Sequence, residues 1–526
     1  MSVDAARLFK NKVFKTIAFS KLITLQSKEA SRWSVLIITW VAFLLRTANL
    51  KTQNLWRDEV DAIRFSSWPL PELVSGLFQV GHNGPLYFLL LRPWRALTGD
   101  SEFALRYPST LAGAVTIPLG FVLARQFGFS RRIGLLLGLL LATSPYLVWY
   151  GQEAKMYAIL LVLISLAFVA YLKAITASGV PFRTGLSNPT AVWWGIFVAA
   201  TSLSFYFHIL SPLMLLVYSF IGLLHQATLR KQWQGWLISM ACLTLPYIPL
   251  ALWQMPLLLK GFQSGHPFYP AQKVFPLLFQ LYSGGLFQTV SLTGSVLYFF
   301  LLLCGLFLAT KTRKSGYNAS TRLALASWAV LPPLAVYFIS LRVQVFEDRY
   351  LIYVTPAFYL IVVIGLIAIR EYSRWLASLC LGLIVVINLV GIWQQQRQPI
   401  KADFRSAAAY LMKQPGRSPP SIMVQIPYLQ HTLSYYYQGD YRLLEGLWTN
   451  GGKTEGAVDA EMAALTAELN DLWLVVSEEE LWDNRTLTRT WLNQNARLVD
   501  QAHFTRVSLY HYQFDANGTE TQQVKK

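Results

Sequence analysis

The side chains best suited to chemistry fall in a few short stretches: Trp56-Arg57-Asp58-Glu59, Gln152-Glu153-Ala154-Lys155, His208, and Glu347-Asp348-Arg349-Tyr350. Each stands at the edge of a long apolar run, where an ionisable group is costly and usually has a task. Carboxylates so placed serve as a general base or hold a cation. Arg349 and Lys155, at the level of lipid headgroups, suit a phosphate whose lipid tail stays in the bilayer. Arg64 and His82 add polar groups to the stretch that follows the first run. Two histidines and scattered carboxylates without helical spacing are poor metal signals, so the sequence assigns no cofactor and leaves a divalent metal ion open.

The elements that position these groups are membrane spans. With 54% hydrophobic and 14% charged residues among 526, the chain is not an ordinary soluble enzyme. Apolar runs near the length that crosses a bilayer, about 20 residues, occur near 34–50, 106–124, 133–149, 156–172, 191–207, 209–224, 236–253, 288–310, 323–340, 351–369 and 376–393. The expectation is therefore an all-α polytopic protein with about eleven transmembrane helices.

Arginines and lysines set the orientation. Seven precede the first run, between Arg7 and Arg32, and place the N-terminus in the cytoplasm. The loops with Arg125/Arg131/Arg132, Lys173/Arg183, Arg230/Lys231, Lys311/Arg313/Lys314/Arg322 and Arg370/Arg374 then share that side. An odd number of crossings puts the C-terminal tail outside, in a multi-pass protein of the plasma (inner) membrane. The basic N-terminus lacks the compact form of a cleaved signal, so the first span is expected to be retained.

Between the first two spans lies a long outer loop, roughly 51–105, with Asp58, Glu59, Asp61, Arg64, Glu72 and His82. Its apolar stretch 84–98 contains Arg92, Pro93 and Arg95, and reads as a helix lying in the interface. Past the last span charges rise and turns appear. Helices over Asp403–Met412, Leu433–Tyr437 and Glu461–Asn470, with strands over Ser421–Pro427, Leu472–Ser477 and Val507–Phe514, suggest a small soluble α/β domain. The division expected is 1–32 basic N-terminus, 33–393 membrane domain and 394–526 soluble domain. The tail carries 13 basic and 15 acidic residues, so the net charge of +18 belongs to the membrane part and reflects topology, not nucleic-acid binding. Cys242, Cys304 and Cys380 all fall within predicted spans, which argues against disulfides. Tyr435-Tyr436-Tyr437 either packs in the tail's core or faces a sugar.

Several motifs occur in a telling order: Trp-Arg-Asp-Glu at 56–59, His-Asn-Gly-Pro-Leu-Tyr-Phe at 82–88, Phe-Ala-Leu-Arg-Tyr-Pro-Ser at 103–109, Gln-Glu-Ala-Lys-Met-Tyr at 152–157, Tyr-Phe-His at 206–208 and Asp-Arg-Tyr-Leu at 348–351. In this order they resemble the GT-C glycosyltransferases. More closely, they are similar to the branch with the protein mannosyltransferases, the aminoarabinose transferases of lipid A and bacterial mannosyl- and galacturonosyltransferase-like proteins. The resemblance covers roughly residues 33–370.

It implies transfer of a sugar from a polyprenyl-phosphate donor to a glycan, lipid or protein acceptor on the extracytoplasmic face, with inversion. Asp58 matches the catalytic carboxylate, Glu59 its positioning partner, and Glu153 a second loop carboxylate. Arg349 and Lys155 would clamp the departing phosphate, Lys155 standing where relatives more often carry Arg. His82, His208, Arg64 and Tyr350 would line the substrate site. Two other readings stand beside this one. A transporter or flippase for lipid-linked sugars would show internal repeats and broken helices in matching halves, which the sequence lacks. A non-catalytic assembly subunit would tolerate replacement of Asp58.

Overall fold

The computed structural model describes residues 28–75, 84–177, 189–249, 267–308, 317–414 and 419–514, with a few single positions between 251 and 259. The chain divides into two compact units. One holds the described residues up to Leu50 together with Pro69–Gly99 and Ala104–Gln395; the other holds Lys51–Trp68, Asp100–Phe103 and the described residues from Gln396 onward.

The first unit is helical because its apolar runs can satisfy their backbone polar groups without water only as helices. Among the described residues seven helices are long and apolar enough to cross a bilayer: Glu102–Gln126, Tyr157–Thr176, Pro189–Phe207, Val290–Phe307, Ala319–Ser340, Asp348–Tyr372 and Arg374–Arg397. An eighth span is broken, Arg131–Thr143 and Pro145–Gly151 meeting at 60°. The other three expected runs are also helical, one of 20 residues and two shorter. Lys28–Thr47 carries Arg32 and Arg46, Ser211–Leu224 is a shorter apolar helix, and Trp233–Thr244 has 12 residues. By length and composition the described residues thus show seven spans, or eight with the broken one.

The stretch expected to lie in the interface is the 14-residue helix Pro85–Thr98, too short to span. It buries Tyr87, Phe88 and Leu91, exposes Arg92, and packs against Pro189–Phe207. Gly84 begins it with φ of 78°, wedged against Met156 and the Phe207 carbonyl, where a side chain would be strained and crowded.

Asp348–Tyr372 is the centre of this unit, with 94% of its apolar window buried. Lipid-facing apolarity gives no drive for two helices to associate, so close approach depends on small residues. Gly365 on the central helix and Gly305 on Gln288–Phe307 supply it. A Cβ on Gly365 would overlap the Leu301 carbonyl oxygen, and one on Gly305 the Ile361 carbonyl oxygen.

The second unit is built on a five-stranded sheet of order β2-β1-β3-β5-β4. Its strands are β1 Ser421–Val424, β2 Arg442–Glu445, β3 Asp471–Val476, β4 Arg497–Phe504 and β5 Val507–Gln513. The pairs β1–β2 and β1–β3 are parallel, β3–β5 and β4–β5 antiparallel. Parallel neighbours need crossovers, which run through the helices Gln430–Tyr436 and Glu455–Thr466. Successive side chains on β1 serve opposite faces. Ile422 and Val424 join Phe404, Leu411, Trp473 and Val475 in one core, and Met423 joins Met462, Leu472, Leu474 and Tyr512 in the other. Phe404–Met412 starts where expected because the Asp403 carboxylate accepts from the Ser406 N–H at 2.9 Å.

Replacing Gly365 with Val should push the central helix away from its neighbour, costing about 1–3 kcal/mol and lowering the unfolding midpoint of the purified protein. A midpoint equal to wild type would refute the close crossing.

Candidate active site

The broken span is the device that positions the site in the first unit. Pro145 has no N–H to give the Leu141 carbonyl, so the helix ends there and leaves carbonyls to be satisfied. Arg46, fully buried, meets this need. Its Nη2 donates to the Leu141 carbonyl at 3.0 Å, and its Nη1 to the Ala142 carbonyl at 3.2 Å and the Ala42 carbonyl at 3.1 Å. The guanidinium stem fits only because Gly113 and Gly151 lack side chains, since a Cβ on either would press on it.

The Ser144 hydroxyl caps the new helix, accepting from the Leu147 N–H at 3.2 Å. Ser144 Oγ lies 2.6 Å from the Tyr359 hydroxyl. Because Tyr359 spends its proton on the Tyr282 carbonyl at 2.8 Å, Ser144 is the donor of that pair. Gln395 Nε2 donates to the Pro145 carbonyl at 2.9 Å.

The short helix Pro145–Gly151 then carries two tyrosines to the 3-10 helix Asp348–Val354. Tyr150 donates to Asp348 Oδ2 at 2.7 Å, and Tyr146 to the Asp348 carbonyl at 2.9 Å. Arg349, with its side chain 11% exposed, lies over the rings of Tyr157 and Tyr350, 5.9 Å from each centroid. Its ion pair with Glu347 is long at 3.9 Å. The His208 ring stands 4.5 Å from Tyr350 and 6.2 Å from Tyr157.

His208 is fully buried in the turn after Pro189–Phe207, and its Nδ1 accepts from the Leu210 N–H at 3.2 Å. The neutral ring therefore carries its proton on Nε2, and that buried atom has no hydrogen-bond partner among the described residues. Burial, with Arg349 nearby, pushes the His208 pKa down to about 3. Glu153 is 2% and Lys155 9% exposed. Their loop is fixed by Ser109, which donates to the Lys155 carbonyl at 2.9 Å, and by Gln152 Nε2, which donates to the Arg46 and Ala48 carbonyls at 3.0 and 2.8 Å. Glu153, Asp348 and Arg349 all lie within electrostatic reach of Tyr150.

The second unit holds the other acidic residues. Asp58 and Glu59 occupy the first turn of the helix Arg57–Ser66, where the helix dipole favours negative charge. Glu59 is fully buried and bonded by Lys401 Nζ at 2.8 Å. Asp58 keeps 16% of its side chain exposed beside Arg57 Nε at 3.4 Å. Arg57 also donates to the Tyr428 hydroxyl at 3.1 Å and to Glu478 Oε2 at 3.3 Å. Burial opposes its charge, but Asp58, Glu478 and Tyr428 more than offset this and raise its pKa. Arg64 is 41% exposed, 3.9 Å from Asp61 on the same helix.

Of the tyrosine run, Tyr435 and Tyr436 tie down residues 100–102: Tyr435 donates to the Asp100 carbonyl at 2.8 Å and Tyr436 to Glu102 Oε1 at 2.5 Å. Tyr437 packs in the core.

The structure thus brings together Arg349, Tyr350 and His208, with Glu153 within electrostatic reach of the same tyrosine as Arg349. His82 lies outside the described residues. Among the described residues no three His, Cys, Asp or Glu side chains converge as a metal-binding set. Arg46 and Tyr150 stand with these groups although the sequence did not single them out, and Asp348 and Tyr157 lay in noted motifs without an assigned role. A lone arginine inside an apolar run was the available signal for Arg46. Lys401, the partner of Glu59, had none.

His208 supplies a pH test. With its folded pKa below the usual 6.5, the unfolded chain binds the extra proton first, so stability is full above about 6.5 and falls as pH drops toward about 3. Wild-type protein should lose up to about 1.4 kcal/mol per pH unit in that window, visible as a falling unfolding midpoint. His208→Gln should flatten the fall, and an unchanged pH dependence would contradict the buried neutral imidazole.

Comparison with known proteins follows the same lines. Residues 82–253 match the family model described as dolichyl-phosphate-mannose-protein mannosyltransferase. No curated protein matches the sequence. The fold is similar to that of ArnT from Cupriavidus metallidurans in the apo state, with a TM-score of 0.56 at 16% identity over 92% of this chain and 98% of that one. ArnT bound to undecaprenyl phosphate gives 0.53 at 14% identity over the same shares. The Archaeoglobus fulgidus oligosaccharyltransferase tethered with an acceptor peptide gives 0.55 at 12% identity, over 89% of this chain and 71% of that one. A helical membrane unit with a broken span, followed by a small sheet unit, together with these matches, identifies the chain as a protein of the GT-C glycosyltransferase fold.

Proposed function

We propose that this protein is a membrane glycosyltransferase that moves a sugar from a polyprenyl-phosphate carrier to an acceptor on the extracytoplasmic face. The observation that carries this reading is the likeness to ArnT over nearly the full length of both chains, 92% and 98%, because one ArnT structure holds undecaprenyl phosphate. The oligosaccharyltransferase with its acceptor peptide supports an acceptor built from more than a free sugar. The acceptor here is a glycan, lipid or protein.

Asp58 is the general base. It takes the proton of the acceptor nucleophile, whose lone pair attacks the anomeric carbon. The bond from that carbon to the phosphate oxygen breaks, the configuration inverts, and polyprenyl phosphate leaves with its negative charge. Glu59, already bonded to Lys401, is a positioning residue that sets the helix carrying Asp58.

Charge grows on the leaving phosphate, so a fixed cation there stabilises the transition state more than the bound substrate. Arg349 is held for this by two aromatic faces, and an arginine so restrained loses little freedom when it binds. Lys155, nearly buried and in no ion pair among the described residues, adds a second cation. The Nε2–H of His208 is a ready donor to a polar group of the substrate. Glu153 and Tyr350 complete the wall, and Arg64 and His82 are kept as binding residues of the first loop.

Purified protein given a panel of polyprenyl-phosphate sugars, labelled in the sugar, should pass label to an acceptor extract. Asp58→Asn should reduce transfer by at least about 10²-fold while leaving the unfolding midpoint unchanged; retained transfer would remove Asp58 as base. Arg349→Ala should weaken use of the phosphate donor by roughly tenfold or more, with Arg349→Lys restoring part of it. Equal donor dependence in wild type and Arg349→Ala would sink the clamp.

A further inference from the structure

Away from the candidate active site, the first unit contains a groove of about 390 Å³ between four helices: Lys28–Thr47, Arg131–Thr143, Asp348–Tyr372 and Arg374–Arg397. Its walls are almost wholly apolar, with Ile38, Val41, Leu135, Leu139, Leu366 and Leu381 among them. The polar exceptions gather at one end, where Ser34, Arg132, Arg370 and Ser378 line it.

Two guanidinium groups, Arg132 and Arg370, line that end, and a third, Arg374, stands near them. Arg370 and Arg374 both lie within Coulombic reach of Arg132. Arg370 and Arg374 make no ion pair among the described residues, and neither does the neighbouring Glu371, which is exposed. Like charges so close repel, and a bound anion would turn that repulsion into attraction.

The depth of the groove matches a lipid. From Arg374 to Val385 the helix rises about 16 Å, about half of a hydrocarbon core of roughly 30 Å. The arginines thus stand one leaflet above the groove's floor. Trp33, Tyr372 and Trp375 project beside this end, 66%, 69% and 72% exposed, as aromatic residues do at headgroup level.

From the convergent arginines and the apolar groove one leaflet deep, we infer that this groove is a binding site for an anionic phospholipid, its phosphate held by Arg132, Arg370 and Arg374 and an acyl chain lying in the groove. It is a site distinct from the cluster around Arg349 and His208, for no residue of that cluster lines it. A basic pocket between membrane helices is a recognised form of anionic-lipid site. The bound lipid would lock the helix Lys28–Thr47 against Asp348–Tyr372 and Arg374–Arg397.

The test is thermal unfolding of the full chain, purified in detergent and stripped of lipid, with phosphatidylglycerol, phosphatidylcholine or inorganic phosphate added. Phosphatidylglycerol should raise the midpoint, and the other two should not. Arg132→Ala and Arg370→Ala should each weaken the apparent affinity about fivefold. Leu135→Trp, which fills the groove and leaves the arginines in place, should abolish the response. An equal rise with phosphatidylcholine would overturn the proposal by removing the anion, and a rise with inorganic phosphate alone would remove the lipid. Displacement of phosphatidylglycerol by polyprenyl phosphate at matching concentration would assign the groove to the carrier lipid instead. Should the arginine variants fail to fold, the comparison of lipids on wild type and the Leu135→Trp protein still decide.

Discussion

The membrane unit depends on one buried arginine answering one broken helix. Pro145 costs the span Arg131–Gly151 its continuity, and two carbonyls in an apolar interior would each carry a heavy penalty without donors. Arg46 reaches both from another helix, and Ser144 and Gln395 complete the repair from further sides. The bend this permits carries Tyr146 and Tyr150 to Asp348 and leads into the loop of Glu153 and Lys155. Three stretches far apart in the chain are thereby set by a single hydrogen-bonded hub. The glycines at 113 and 151 belong to the same solution, since the arginine occupies the space their side chains would need.

Around that hub the polar groups are ordered by burial. Arg349 rests on aromatic faces, and His208 stays neutral with its Nδ1 committed to the backbone. A fixed cation beside a neutral donor is an arrangement suited to a phosphate ester, which needs countercharge on one oxygen and hydrogen bonds to its other polar groups. It is poorly suited to proton abstraction, for which the proposed base is instead the Asp58 carboxylate.

Much of this was legible in the sequence. Apolar runs marked nearly every long helix, because burial in lipid demands them, and the motif order led to the GT-C fold. In the tail, β1, β3 and β5 were readable as compact runs of apolar residues, and Asp403 announced its helix by the chemistry of its side chain. The strands β2 and β4 and the helix Leu487–Asn495 were not anticipated. Both strands lie at the sheet's edges, and β4 has no fully buried residue to mark an inward face, so the alternation was too weak to see. Each of the eleven expected runs falls on a helix, although arginine or proline charges, shortens or breaks several of them. The partners of the site residues, Lys401 for Glu59 and Tyr150 for Asp348, were invisible because tertiary contact leaves no local pattern.

The bond between Glu59 and Lys401 spans 342 positions of the chain. The buried carboxylate of the first loop cannot find its partner until about three-quarters of the 526 residues have been synthesised, and the sheet of the same unit is finished only with β5, at the end of the described chain. While the membrane helices emerge one by one, the helix bearing Asp58 must therefore wait, its neighbour's charge still in water. Contacts of such long range are made late. A chain truncated before Lys401 would therefore carry its described membrane helices but leave the Glu59 carboxylate without this partner.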